Sequence, residues 1–418
     1  MVFFRILLQV VFNQLKNLIK LFYGIPIMVP PLVAITIDED DVHLAKNWLE
    51  NSNEWYSNEE VDKYQQEFAS WNGSKYVFSF LGGRVALSAI ISALNLNPGD
   101  EVIIPGYTCI VVPNAFRYAG IEIVYSDIEL NSYGLDAAQI EEKISTKTKA
   151  ILIQHLYGLV ARDYQEIIDL AKSNSLYLIE DCAHSTGAEF NGRKVGNWGD
   201  VAFYSSERSK VFSTVIGGLA VTNDDSIGSQ LKEFYDLAPY PNPHIIENQL
   251  YNVIIDFNRY KHPQRWWRGD YFNLRYSNKL IVSTTNQELQ GIRPTHYGHK
   301  MPAPIAALGR NQLKKIDHYN HIRINSAKHW GDWCDLNGYQ RPFIHPQSKP
   351  IYLRYPVLVE PGKKKDKVWA PRSFGIQIGV WFKGKTHPTD EDIKGCPNAN
   401  IAVRQCINFP TIYSDLLC

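Results

Sequence analysis

From about Asp38 onward, short apolar runs alternate with amphipathic stretches. Asp38-Glu-Asp-Asp41 opens a helical pattern that continues to Leu49, and a second spans 59–71, ahead of the strand-like Tyr76-Val-Phe-Ser79. A helix over 87–94, a strand over 101–104, a helix over 113–118 and a strand over 121–125 follow in turn. The series resumes with a strand at 150–154, a helix at 163–173, a strand at 176–180 and another at 219–222. Strands and helices alternating at this spacing predict an α/β fold on a mostly parallel, doubly wound sheet. Ligands of such sheets sit beyond the carboxyl ends of the strands, so polar residues there are the ones to weigh for chemistry.

After Asp225 the alternation stops. Residues 236–295 are rich in Tyr, Asn, Pro and Trp, including Tyr240-Pro-Asn-Pro243 and Trp266-Trp-Arg-Gly269, and no element is assigned there. A helix over 303–319 carries Ala306, Leu308, Leu313 and Ile316 among its apolar positions. Short strands over 350–359 and 375–382 then predict a smaller α+β domain. A chain of 418 residues has room for two domains. The expected division is a large domain over 26–235, the aromatic-rich stretch, and the smaller domain over 296–418.

Residues 1–25 form a separate pattern. Arg5, Gln9, Asn13, Lys16 and Lys20 interrupt the apolar positions every three to four residues, which argues against a transmembrane span and against a secretory signal. The spacing predicts an amphipathic helix whose apolar face carries Phe3, Ile6, Leu7, Val10, Leu18 and Phe22. That face suits packing against the protein or a partner subunit, and also a membrane surface.

Acidic and basic residues balance at 43 each, so no overall field recruits nucleic acid or anionic lipid. Six cysteines are scattered without a CxxC pair, which argues against a zinc site, an iron–sulfur cluster and a disulfide framework. A reducing cytoplasm is the expected setting.

Four segments at strand ends or adjoining loops carry candidate chemistry. Gly82-Gly83 precedes a helix, where free backbone N–H groups can hold a phosphate, although such a pair is often only a turn. The strand ending Ile179-Glu-Asp-Cys-Ala-His184 presents Asp181, which either caps the following turn or pairs with a protonated pyridine nitrogen. Lys210 follows Ser205 and Ser209, which can donate to phosphate oxygens, and precedes Gly217-Gly218. A lysine there can serve as a Schiff-base amine, whereas a solitary lysine is ordinarily a solvated charge. His155-Leu-Tyr157 ends another strand, and its imidazole either faces a ligand or belongs to the core.

In their order and spacing these segments resemble the sugar-nucleotide aminotransferases, the DegT/StrS group of fold-type-I pyridoxal 5′-phosphate (PLP) enzymes. Matching stretches include Asn97-Pro-Gly-Asp-Glu-Val-Ile-Ile-Pro105, residues 150–158, 179–188, 205–223 and 301–313, and Cys396-Pro-Asn-Ala399. The resemblance covers about 26–412, with 236–295 standing as an insertion. It implies that Lys210 attaches PLP, that Asp181 binds the pyridine nitrogen and that His184 contacts the ring hydroxyl. Ser205 and the Gly83/Arg84 turn would hold the phosphate.

The chain also departs from the family pattern. Cys109 stands where family members place an aromatic side chain against the cofactor ring, with Tyr107 two residues away. Gly82-Gly-Arg84 replaces Ser-Gly-Thr, and the Asn that reaches a neighbouring subunit's phosphate is missing near Gly298. The resemblance further implies a homodimer with shared sites, Lys300-Met-Pro302 reaching the partner, and His155 and Tyr157 near substrate. Glutamate would donate nitrogen to a nucleotide-linked keto sugar, yielding an amino sugar for a polysaccharide such as a lipopolysaccharide O-antigen or for another glycoconjugate. Two alternatives remain. A sugar dehydratase of the same family typically has histidine in place of the Schiff-base lysine, and a catalytically silent relative would only bind nucleotide-sugar.

Overall fold

The computed structural model describes residues 35–260, 279–295 and 297–412, together with residues 15, 20, 22, 32 and 33. The expected helix over 1–25 lies, but for three residues, outside the described residues, as does Trp266-Trp-Arg-Gly269. Helix α1 (Glu39–Glu50) begins with a capping box in which Asp38 and Asp41 exchange side-chain and backbone contacts. Helix α2 (Asn58–Asn72) starts at Ser57, which accepts from Glu59 N–H, and stops at Gly73, where φ of 77° is the left-handed conformation glycine adopts freely.

The central sheet uses β1 (Tyr76–Phe80), β2 (Glu101–Pro105), β3 (Glu122–Ser126), β4 (Thr148–Gln154), β5 (Tyr177–Asp181), β6 (Val201–Ser205) and β7 (Gly218–Thr222). Their order is β1-β7-β6-β5-β4-β2-β3. Pairs from β6 to β3 are parallel, and β7 runs antiparallel to both of its neighbours. Crossover segments include α3 (Gly83–Ala93), α4 (Val111–Arg117) and α5 (Tyr164–Ser173). Both faces of the sheet are covered, which is why its strands read as continuous apolar runs. Along β4, Ile151 and Ile153 join the core that includes α1, α2 and α5, while Ala150 and Leu152 join the core under α3 and α4.

The stretch left unassigned from sequence contains ordered helices. After α6 (Asp225–Leu237), α7 (Pro243–Tyr260) packs on α1 through buried Ile246, Leu250, Val253 and Phe257. That spacing is helical, and it is masked in the sequence by the neighbouring Asn, Tyr and Pro residues.

The single helix expected over 303–319 is two, α8 (Ala303–Leu313) and α9 (Ile316–Asn337). At the break Lys315 turns its ammonium to Asp40 (2.8 Å) and Asp41 (2.7 Å) beside the start of α1. The strand expected over 350–359 is real only at β8 (Tyr355–Leu358), which pairs with β9 (Cys406–Phe409) after helix α10 (Pro397–Gln405). No strand forms over 375–382, where only Gly379 bridges to Asn408. Gly375 lies at φ 66° and turns the chain out of a short helix, so that segment cannot run straight. The small domain is centred on Trp330, which stacks on Phe409 at 4.1 Å and donates its indole N–H to Pro410 O (2.8 Å). Fully burying rings of this size stabilises by roughly 2–3 kcal/mol each.

Candidate active site

The parallel strands end together at one cavity of about 310 Å³. Gln154, Asp181 and Ser205, the last residues of β4, β5 and β6, line it, with Phe203 two positions back on β6. The start of α3 and the β6–β7 loop close one side, and Trp381, Phe382 and His387 of the smaller domain close another. Thr108-Cys109 pairs in parallel with Thr386-His387, and this short ladder docks the small-domain segment at the cavity.

Lys210 projects from the β6–β7 loop with Nζ 2.9 Å from His184 Nε2. Its ammonium position is 5.5 Å from the centroid of the Trp381 ring, and it forms no carboxylate ion pair among the described residues. The loop is held by Ser206 N–H donating to Gly217 O (2.9 Å) and by a 2.7 Å contact between the Ser206 and Thr214 hydroxyls. A Cβ at Gly217 would lie 2.4 Å from Ser206 Oγ, so only glycine fits there. His184 stacks on Trp381 at 4.7 Å and 21°, and Tyr157 N–H donates to its Nδ1 (3.4 Å). Burial, then the Lys210 and Arg354 charges, hold the imidazole well below its usual pKa, so it is neutral.

Asp181 accepts the Ala183 N–H at 3.0 Å, so it caps its turn and also faces the cavity. Burial pushes its carboxyl up to about 6. A cation set against it would recover part of that desolvation cost.

At the start of α3 the first helical bonds run from Val85 and Ala86 N–H to Gly82 O, leaving the Gly83 and Arg84 N–H groups without an acceptor among the described residues. A Cβ on Gly83 would meet Ser205 Cβ at 3.0 Å, and one on Gly218 would lie 2.3 Å from Gly83 N. Glycines therefore let β6 and β7 lie directly against the helix start, forming a cup of backbone donors beside Ser205 Oγ. Ser209, also on the cavity wall, spends its hydroxyl on Glu207.

The Arg84 side chain is not directed to that cup alone, because it forms a buried ion pair with Glu288 and donates to Ser283 O. Burial disfavours its charge, but Glu288 outweighs that and raises its pKa. Glu288 is fixed in turn by Thr285 N–H (2.7 Å) and Tyr297 OH (3.0 Å). Ser283 and Thr284, from the stretch the sequence left unassigned, thereby line the cavity.

The donor set fits PLP. Lys210 supplies an amine, Asp181 a buried carboxyl with no cation bonded to it among the described residues, and the α3 start with Ser205 supplies phosphate donors. These groups converge as the sequence led one to expect, together with His184, Arg84 and Cys109. Three others lie elsewhere. Tyr107 and Tyr157 are buried behind the wall, their hydroxyls 3.0 Å apart and within 3.4 and 3.1 Å of the Trp381 carbonyl oxygen. His155 is a core residue, with Nε2 3.3 Å from Glu180 Oε2 and Nδ1 accepting from Ala161 N–H (3.4 Å). Lys300 pairs with Phe80 of its own chain.

Sequence reasoning missed Trp381, the aromatic wall of a cavity where residue 109 is a thiol. It also missed buried Arg354, whose guanidinium carbon lies 5.3 Å from the Trp381 centroid and whose pKa burial lowers to about 9. Neither carries a local signal, since both depend on how the small domain docks.

Comparison with known proteins bears on this geometry. A sequence model of the DegT/DnrJ/EryC1/StrS aminotransferase family matches residues 36–254. GDP-perosamine synthase of Escherichia coli O157:H7 is 34% identical over 210 residues, covering 50% of this chain and 56% of that protein. The dTDP-3-amino-3,6-dideoxy-alpha-D-galactopyranose transaminase of Aneurinibacillus thermoaerophilus is 37% identical over 188 residues, covering 45% and 52%. The chain thus spans about half the length of the curated relatives it matches. In fold it is similar to E. coli GDP-4-keto-6-deoxy-D-mannose-3-dehydratase with bound hydrated PLP, at a TM-score of 0.70 and 22% identity, covering 92% of this chain and 95% of that one. An aminotransferase from Psychrobacter cryohalolentis gives a TM-score of 0.69 at 22% identity, covering 90% and 92%.

Proposed function

The chain belongs to the DegT/DnrJ/EryC1/StrS aminotransferase family, and from that premise we propose that it is a PLP-dependent aminotransferase converting a nucleotide-linked keto sugar to an amino sugar. The observation that supports this most is the meeting of Lys210 and Asp181 at one cavity, with backbone donors and Ser205 on its wall. Glutamate is the proposed amino donor. The product enters polysaccharide or glycoconjugate assembly, such as a lipopolysaccharide O-antigen. The working form is a cytoplasmic homodimer with shared sites, and residues 1–25 are available to touch the inner face of the membrane. No helix of the described residues is long and apolar enough to cross a membrane.

When bound, PLP supplies a carbonyl that condenses with amines and a cationic ring that draws electron density from the amine-bearing carbon. Asp181 would hold the proton on the ring nitrogen, a charge-assisted contact favoured by its buried setting. Lys210 Nζ would attach the cofactor and carry the proton to and from the carbon that loses or gains nitrogen. His184 positions Nζ, while Gly83 N–H, Arg84 N–H and Ser205 Oγ would bind phosphate. Trp381 and Phe382 exclude water from the reacting carbon.

Purified protein with PLP is expected to be yellow and, after borohydride, to carry the label on Lys210. Glutamate should convert the bound cofactor to its pyridoxamine form, after which nucleotide-linked keto sugars are screened as acceptors. A colourless protein at saturating PLP sinks the reading. Failure to use glutamate while turning over a keto sugar points instead to a dehydratase.

A further inference from the structure

Helix α7 buries polar side chains as well as apolar ones. Beside the face of Ile246, Leu250, Val253 and Phe257 that packs on α1, its Gln249, Asn252 and Asp256 are fully buried. Steps of three and then four residues set these three on one stripe of the helix. Buried polar groups cost stability unless they are paired, so the partners of the stripe show what it serves.

Gln249 faces the loop that carries Lys210. Its amide nitrogen donates to Thr214 O (2.9 Å) and to Ile216 O. Between those two carbonyls Val215 lies at φ 70°, in the left-handed region that a β-branched residue enters only under strain. The turn at Val215 lets the loop fold back on itself, with Ser206 N–H donating to Gly217 O (2.9 Å), Arg208 N–H to Val215 O (3.1 Å) and Thr214 N–H to Ser206 O (2.9 Å). Lys210 lies between the two paired arms, so this pairing sets where its side chain starts. A strained residue persists where its surroundings hold it, and Gln249 grips the carbonyl on either side.

Asn252, one turn further along α7, reaches two segments at once. Its Oδ1 accepts from Arg208 Nη2 (3.3 Å) in the lysine loop and from Ile281 N–H (3.2 Å), and its Nδ2 donates to Lys279 O (3.0 Å). Asp256 sets its carboxylate 3.5 Å from Arg208 Nε. The segment gripped at 279–281 runs on to Ser283 and Thr284 on the cavity wall, and Ser283 O and Glu288 hold Arg84 at the start of α3. One buried amide therefore joins the loop of Lys210 to the side of the cavity that bears the phosphate donors.

We propose that Gln249 and Asn252 are positioning residues for Lys210, Gln249 by holding the strained turn at Val215 and Asn252 by tying the lysine loop to the segment of Ser283 and Thr284. The proposal rests on the aminotransferase reading and adds what α7, in the stretch that breaks the α/β alternation, does for the site.

Two measurements on the full chain test it. Stopped-flow growth of the PLP absorbance, fixed on Lys210 by borohydride, reports how well the lysine is placed. Calorimetry with pyridoxamine 5′-phosphate, which has the ring and phosphate but no aldehyde, reports the rest of the site. Gln249→Met keeps the side-chain length and removes both donations, so attachment should slow at least about tenfold while pyridoxamine 5′-phosphate binds as before. Adding Val215→Gly should restore most of the rate, because glycine takes the left-handed conformation without strain. Asn252→Leu should slow attachment and also weaken pyridoxamine 5′-phosphate about fivefold, through the loosened Arg84 side. Leu250→Ala, on the face packed against α1, forms none of these hydrogen bonds, and it should lower the melting temperature with both readouts unchanged. Should Gln249→Met fail to fold, Val215→Gly is compared with and without it, and equal attachment rates are expected. Wild-type attachment in Gln249→Met and Asn252→Leu overturns the proposal and leaves the aminotransferase reading standing. So does a slowing that Leu250→Ala shares or that Val215→Gly does not relieve. A wild type that takes up neither PLP nor pyridoxamine 5′-phosphate sinks the aminotransferase reading and this proposal with it.

Discussion

Lys210 Nζ lies 2.9 Å from the Nε2 of His184, an imidazole that burial and nearby charges keep neutral. A carboxylate in that position would lock the lysine as an ammonium, whereas a neutral ring only orients it. His184→Ala is therefore expected to leave the fold intact and to slow PLP attachment and transamination by up to about 100-fold through lost positioning. Stopped-flow absorbance on mixing with PLP measures this, and an unchanged rate rules the role out.

Lys210→Ala should abolish the borohydride-fixed label while PLP still associates through Asp181 and the α3 start. Turnover should fall by at least about 10³-fold. Intact-mass spectrometry after reduction separates attached from associated cofactor.

Asp181 makes the cofactor-free protein sensitive to pH. Its folded pKa of about 6 lies above the 3.8 of an ordinary aspartate, so between those values the native state holds a proton that the unfolded state has released. Stability should fall as pH rises from about 4 to about 6, and the loss is complete above that. Cofactor-free Asp181→Asn escapes the loss, and at pH 7 it should exceed wild type by up to about 3 kcal/mol. Urea denaturation at pH 3.5 and 7 tests the sign, and a wild type gaining stability across this window relative to Asp181→Asn contradicts it. With PLP present the order should reverse, because the variant loses the ring-nitrogen contact.

Glu288 is the counter-charge of buried Arg84. Glu288→Gln strands a guanidinium away from water and should cost about 3 kcal/mol, while Arg84→Met with Glu288→Leu should recover most of it. Thermal denaturation of the three proteins decides between an ion pair that organises the cup and one that is incidental.

Much of the large domain was legible because a strand buried on both faces, such as 150–154, leaves a continuous apolar run, and its carboxyl end marks where ligands bind. Asp181, Ser205 and Lys210 could be read for the same reason. The small domain was harder. Gly375 and Gly379 sit inside an apolar stretch that reads as a strand, and the break at Lys315 depends on acids at the start of α1. Helix α7 had its signal in Ile246, Leu250, Val253 and Phe257, obscured by the Tyr, Asn and Pro around them.

By itself the sequence determined the α/β class, the strand ends that carry Asp181 and Ser205, and the glycine pairs at 82–83 and 217–218. These follow from local periodicity and from steric needs at single positions. Only the tertiary structure decided that Trp381 walls the cavity and stacks on His184, that Glu288 takes up the Arg84 charge, and that Tyr107 and Tyr157 stand behind the wall. Each of those outcomes joins segments far apart in the chain, and such meetings are set by the packing of whole domains, which no local pattern of polar and apolar residues encodes.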